Sequence, residues 1–137
     1  MFLIPRKFRD AIVNQALNEV PEEACGVILG PIGTGQPLRL KPMVNFAHSP
    51  VFYEFNPRDL LQLYREMDET EEEIVVVYHS HPTSEAYPSS TDIAYAGEPL
   101  AHYILVSTRE EIAPDVEFRS FRIIDGIVTE EVVSITD

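Results

Sequence analysis

The stretch Ile74-Val75-Val76-Val77-Tyr78-His79-Ser80-His81-Pro82 decides the fold. A short, largely β-branched apolar run bounded by an acidic segment and a proline reads as a strand covered on both faces, although such a run alone does not exclude a buried helix. Successive strand side chains point to opposite faces, so His79 and His81 project to one side while Ser80 points away. Two imidazoles then converge on one point. Zinc accepts neutral imidazole nitrogen and carboxylate oxygen, and a catalytic zinc keeps three protein ligands with water in the fourth place. The candidate third ligand is Asp92, in the first turn of a short helix predicted within residues 88–97, with a serine cap at its start and Gly97 at its end.

Taken separately, the two halves of this pattern have plainer readings. A lone His-x-His is a pair of satisfied polar residues at a strand end, and Ser89-x-x-Asp92 is a variant capping box. Together they are far more specific. His79-Ser80-His81-Pro82 with Ser89 and Asp92 resembles the signature of the JAMM (MPN-type) zinc metallopeptidases, which include isopeptidases that remove ubiquitin-like proteins. That resemblance implies His79, His81 and Asp92 as ligands of one zinc ion and Ser89 as a donor to the tetrahedral oxyanion. It also implies a glutamate on an earlier strand, three residues before a glycine in a run ending in a second glycine. Glu23-Ala24-Cys25-Gly26-Val27-Ile28-Leu29-Gly30 fits, with Glu23 as general acid/base; only the spacing to Gly26 chooses it over Glu22. Ser89 is shared between oxyanion donor and helix cap, which leaves Ser90 as the alternative cap.

At 137 residues the chain is expected to form one domain, residues 1–137. Its 45% hydrophobic and 24% charged residues are an ordinary globular composition. No apolar stretch reaches membrane-spanning length and residues 1–7 lack the apolar core of a secretory signal, so the expectation is cytoplasmic. The single Cys25 excludes an internal disulfide and any four-cysteine zinc site; it reads as a small buried hydrophobe outside the site. A net charge of −13 disfavours nucleic acid and anionic membranes as partners.

Apolar four-residue steps at Phe8, Ile12, Ala16 and Val20 predict an amphipathic helix over residues 5–20, and strands follow over 24–29, 38–45 and 51–55. The glycine-rich residues 30–36 form a turn, since no Lys-Ser or Lys-Thr completes a phosphate-binding loop. Asn56-Pro57 opens a second helix with Leu60, Leu61, Tyr64 and Met67 on one face, and the acidic residues 68–73 read as a solvated loop, with a docking surface for a basic partner as the alternative. Strands are predicted over 102–107 and 117–124, the latter turning at Asp125-Gly126 into a strand over 127–135. His48 and His102 read as structural or loop histidines. The fold class is α/β, a mixed β-sheet flanked by helices, the cytidine-deaminase-like sandwich that the JAMM resemblance implies.

The resemblance also covers Glu85-Ala86-Tyr87-Pro88-Ser89, Glu98-Pro99, His102-Tyr103, Val106-Ser107-Thr108-Arg109, Phe121-Arg122, Asp125-Gly126 and Thr129-Glu130-Glu131. It points to a bacterial branch of the family that releases cysteine from the Gly-Gly tail of a small β-grasp, ubiquitin-like sulfur-carrier protein in cysteine biosynthesis. The implied tail could bind by strand addition near the zinc. Only ten residues separate His81 from Asp92, so the insertions with which eukaryotic relatives grip polyubiquitin are lacking. Two rivals are a JAMM isopeptidase acting on another ubiquitin-like conjugate and a metal-free MPN scaffold; a zinc deaminase would need His-x-Glu and Pro-Cys-x-x-Cys, which this chain lacks. The sequence leaves the oligomeric state open, a homodimer included.

Overall fold

The computed structural model describes residues 1–137. In chain order the elements are strand β1 (Phe2–Pro5), helix α1 (Arg6–Glu19), strands β2 (Cys25–Pro31) and β3 (Arg39–Met43), helix α2 (Pro57–Thr70), strand β4 (Glu72–His81), helix α3 (Ser90–Tyr95) and strand β5 (His102–Ser107). A single 3-10 turn at Glu110–Ile112 precedes strands β6 (Glu117–Ile124), β7 (Ile127–Glu131) and β8 (Val133–Thr136). Six strands form one mixed sheet in the order β3-β2-β4-β5-β6-β7, in which only β4 and β5 run parallel. β1 and β8 pair parallel as a separate ribbon.

The apolar run at 74–81 is a central strand, buried from Val75 to its end. An irregularity opposite Ile28 and Leu29 lets Val75 and Val76 both face the α1 side. Beyond it the alternation is regular: Tyr78 joins Phe8, Ile12 and Ala16 of α1, while Val77 packs with Leu63 of α2, Leu105 and Phe121 on the other face. Because β4 and β5 are parallel, the chain must cross between them, and that crossover carries α3 to the C-terminal end of β4. This places the site.

Several expected elements take a different form. Residues 51–55 are not a strand; only Asn45 and Phe55 form an isolated bridge. The acidic run is not a loop either. α2 continues to Thr70, Glu71 turns the chain in a left-handed conformation with φ 56°, and β4 already starts at Glu72. Two of its carboxylates have partners: Arg39 binds Glu72, and the Gly33 N–H donates to Glu73, while Asp68, Glu69 and Glu71 stay exposed. The expected strand over 127–135 breaks at Val132, because its second half leaves the main sheet to pair with β1, a strand not foreseen. At the 124–127 hairpin Asp125 and Gly126 have φ of 52° and 77°, the two positive values a type I′ turn needs. No helix is long and apolar enough to cross a membrane.

Candidate metal centre

Strand alternation brings His79 and His81 to one face at the end of β4, with Nε2 atoms 3.1 Å apart. Asp92 sits at the third position of α3, and its Oδ2 lies 3.1 Å from His79 Nε2 and 3.2 Å from His81 Nε2. Three Lewis-basic atoms therefore form a nearly equilateral triangle. A tetrahedral ion with bonds of about 2.0–2.1 Å asks for edges of roughly 3.3 Å, so the donor set fits a zinc-sized divalent ion. His81 Nδ1 lies 2.8 Å from the Glu85 carbonyl, which can only accept. Nδ1 is then the donor, and in the neutral ring Nε2 keeps its lone pair for the triangle. His79 Nδ1 is buried without a partner.

Burial and mutual hydrogen bonds shift the proton affinities of all three side chains. Burial alone would raise Asp92, but hydrogen bonds from both imidazoles and the Ser89 N–H hold its carboxyl well below the usual range. Burial lowers His79. Burial also acts to lower His81, yet Asp92 and the Glu85 carbonyl outweigh it and raise it. A divalent ion held there would compete with protons for the same three atoms.

Glu23 stands beside the triangle, just ahead of β2. Ligand atoms of Glu23, His79 and His81 all lie within 4.8 Å of one another, while Asp92 Oδ2 lies 3.1 and 3.2 Å from the two imidazole nitrogens. Glu23 is 3% exposed, its Oε1 has no hydrogen-bond partner, and burial first, with His81 opposing and Asp92 adding, pushes its pKa up to about 8. Its backbone is pinned: the N–H donates to Ser49 O at 2.9 Å and the carbonyl accepts from Asn45 Nδ2 at 3.0 Å. Glu22 instead faces outward and pairs with His48 at 3.1 Å. The glycine three residues on has a steric reason: a Cβ on Gly26 would collide with the Tyr78 ring and stand 2.7 Å from the Lys41 carbonyl.

Ser89, not Ser90, caps α3. Its Oγ accepts from the Asp92 N–H at 3.1 Å while Asp92 Oδ2 accepts from the Ser89 N–H at 2.9 Å, a complete capping box. Accepting uses a lone pair and leaves the hydroxyl hydrogen free to donate, so cap and donor roles do not compete. Cys25 lies opposite His79 in the β2–β4 register, but its buried Sγ is 3.7 Å from Met43 O, and burial pushes the thiol up to about 12. His102 stacks on Phe2 and bonds Glu131 at 2.7 Å, far from the site in its contacts.

Two neighbours escaped the sequence reading. Tyr53 stacks on His79 with centroids 4.5 Å apart, and Asn45, 1% exposed, holds the loop that carries it. The aromatic cluster Phe52-Tyr53-Phe55 was the available signal, but it read as strand. That loop, α2 and α3 enclose a cavity of about 350 Å³, largely apolar, with His79 and Asp92 in its wall.

Residues 5–124 match the model of the prokaryotic homologs of the JAB domain. A CysO-cysteine peptidase of Mycobacterium tuberculosis is 48% identical over 128 residues, 93% of this chain and 86% of the relative. A desampylase of Haloferax volcanii is 32% identical over 104 residues, 72% of this chain and 75% of the relative. The crystal structure of a JAB1/MPN domain protein from Archaeoglobus fulgidus superposes with a TM-score of 0.60 at 16% identity, covering the whole of both chains, which bears on the fold alone. With the mixed sheet and the match over most of its length, the chain belongs to the prokaryotic JAB domain family and is a peptidase of the JAB type.

Proposed function

We propose that this protein is a zinc-dependent hydrolase that releases cysteine from the Gly-Gly tail of a ubiquitin-like sulfur-carrier protein. The observation that carries the chemistry is the buried, unpartnered Glu23 carboxylate beside the triangle of His79, His81 and Asp92. The substrate rests on the 48% identity to the mycobacterial CysO-cysteine peptidase.

His79, His81 and Asp92 would hold the ion, and zinc held there would supply an acidified water and polarise the scissile carbonyl. Glu23, proton-loving because it is buried, takes the proton of the attacking water and returns it to the leaving amine. The Ser89 hydroxyl donates its free hydrogen to the developing oxyanion. Water is added across the Gly-Cys amide, leaving a carrier with a C-terminal glycine carboxylate and free cysteine.

The test is intact-mass analysis of a sulfur-carrier protein bearing a C-terminal cysteine, incubated with zinc-loaded wild type or Glu23→Gln. Wild type removes one cysteine residue, and the variant, still carrying equimolar zinc, removes none. The likeness to a desampylase favours one second reading, cleavage of another ubiquitin-like conjugate. An unchanged carrier mass with zinc bound would select it, or a scaffold if no conjugate is cut.

A further inference from the structure

The tautomer of His81 is set by a main-chain carbonyl in the loop between β4 and α3, and that loop needs something to hold it still. Glu85 offers its carbonyl to His81 Nδ1 at 2.8 Å, but its own side chain is exposed and anchors nothing. The residues on either side are anchored instead. The Ser84 carbonyl accepts from Ser107 Oγ at 2.5 Å, and the Ala86 N–H donates to Glu117 Oε1 at 3.3 Å.

Both anchors meet at Arg109. Its Nη1 donates to Ser107 Oγ at 3.0 Å and pairs with Glu117 Oε1. A donor arriving at Ser107 Oγ occupies a lone pair and directs the hydroxyl hydrogen away, toward Ser84. Arg119 lies on the other Glu117 oxygen at 4.0 Å. Ser107 is completely buried and lies opposite His81 in the β4–β5 register, so the brace stands on the strand next to the ligand it serves. Ala86 is completely buried as well.

We propose that Ser107, Arg109 and Glu117 are positioning residues, which grip the loop on both sides of Glu85 and so aim its carbonyl at His81 and present Nε2 as a metal-binding lone pair. The inference rests on the reading of the triangle as a metal centre. It assigns to a polar cluster outside the triangle the task that outer-shell carboxylates and carbonyls perform at other metal sites.

The test uses Glu117→Gln and Ser107→Ala in the full chain. Glu117 is 29% exposed at its side chain, so its replacement leaves the fold intact and decides the matter if Ser107→Ala proves unstable. Two quantities are read: the zinc dissociation constant by chelator competition, and the His81 tautomer in metal-free protein by long-range 1H–15N correlation in mildly alkaline buffer. Zinc affinity should fall about 10-fold or more in each variant, and His81 should change from a pure Nδ1–H ring to a mixture. Ser107→Thr, which restores the hydroxyl, should recover both.

Wild-type zinc affinity and an unchanged tautomer in Glu117→Gln would overturn the proposal. If wild type took up no zinc, the metal reading would fall, and the metal-free tautomer would still decide whether the brace exists.

Discussion

Glu23 keeps a carboxyl where burial disfavours its charge, and that has a measurable cost. Its folded pKa of about 8 lies above the ordinary 4.5, so between those values the folded metal-free chain holds a proton that the unfolded chain has released. Stability then falls as pH rises through that window, by at most about 1.4 kcal/mol for each pH unit. Glu23→Gln removes the slope. With chelator present, the variant should melt higher than wild type at the top of the window, and the two melting curves should converge toward its bottom. A variant that melts lower at the top would show that the Glu23 charge is satisfied by a partner. The sequence exposed this residue through its spacing to Gly26, and the structure supplies the physical sense of that spacing: Gly26 admits the Tyr78 ring, and Glu22 is turned outward to His48.

At the scale of elements, α3 has six residues and depends on its cap. Ser89→Ala should cost about 1 kcal/mol of stability through the lost cap and, if the hydroxyl serves the oxyanion, roughly 100-fold in turnover. Ser89→Asn separates the two roles, since asparagine caps well but brings no hydroxyl. Thermal melts near wild type with turnover still down are expected; full turnover in Ser89→Asn would remove the serine from the reaction. Elements with strong local patterning, such as α1, α2 and β4, were legible because their periodicity matches the faces they bury. Residues 51–55 were not, because strand composition reports a fit to a half-buried surface rather than a ladder. Here the Asn45 side chain supplies what a ladder would, accepting from the Glu54 N–H and donating to the Phe52 carbonyl. The acidic run misled for a similar reason: its partners, Arg39 and Gly33, lie far away in sequence.

At the scale of the whole molecule, the chain is closed by its own ends. β1 pairs with β8, the Phe2 N–H donates to Val132 O at 2.8 Å, and Arg6 reaches Asp137 at 3.3 Å. Four-residue strands of this kind carry little local signal, and their partners are more than a hundred residues apart, so the ribbon was invisible in the sequence. The candidate metal pattern was visible because His79, His81, Ser89 and Asp92 lie close together in sequence, at the end of β4 and in the crossover that follows it. The ribbon nevertheless shares a core with the central strand: Ile4, completely buried, packs in the cluster that holds Tyr78 and Val76 of β4. We propose that residues 1–137 therefore unfold as one unit. Ile4→Ala should cost about 3 kcal/mol, seen as a lower midpoint in a single denaturant transition with unchanged slope. The far-ultraviolet signal of the sheet and the tyrosine signal, to which Tyr53 stacked on His79 contributes, should move together. A separate early transition in Ile4→Ala, with the tyrosine signal left at its wild-type midpoint, would show instead that the ribbon is a detachable clasp and that the sheet carries the site without it.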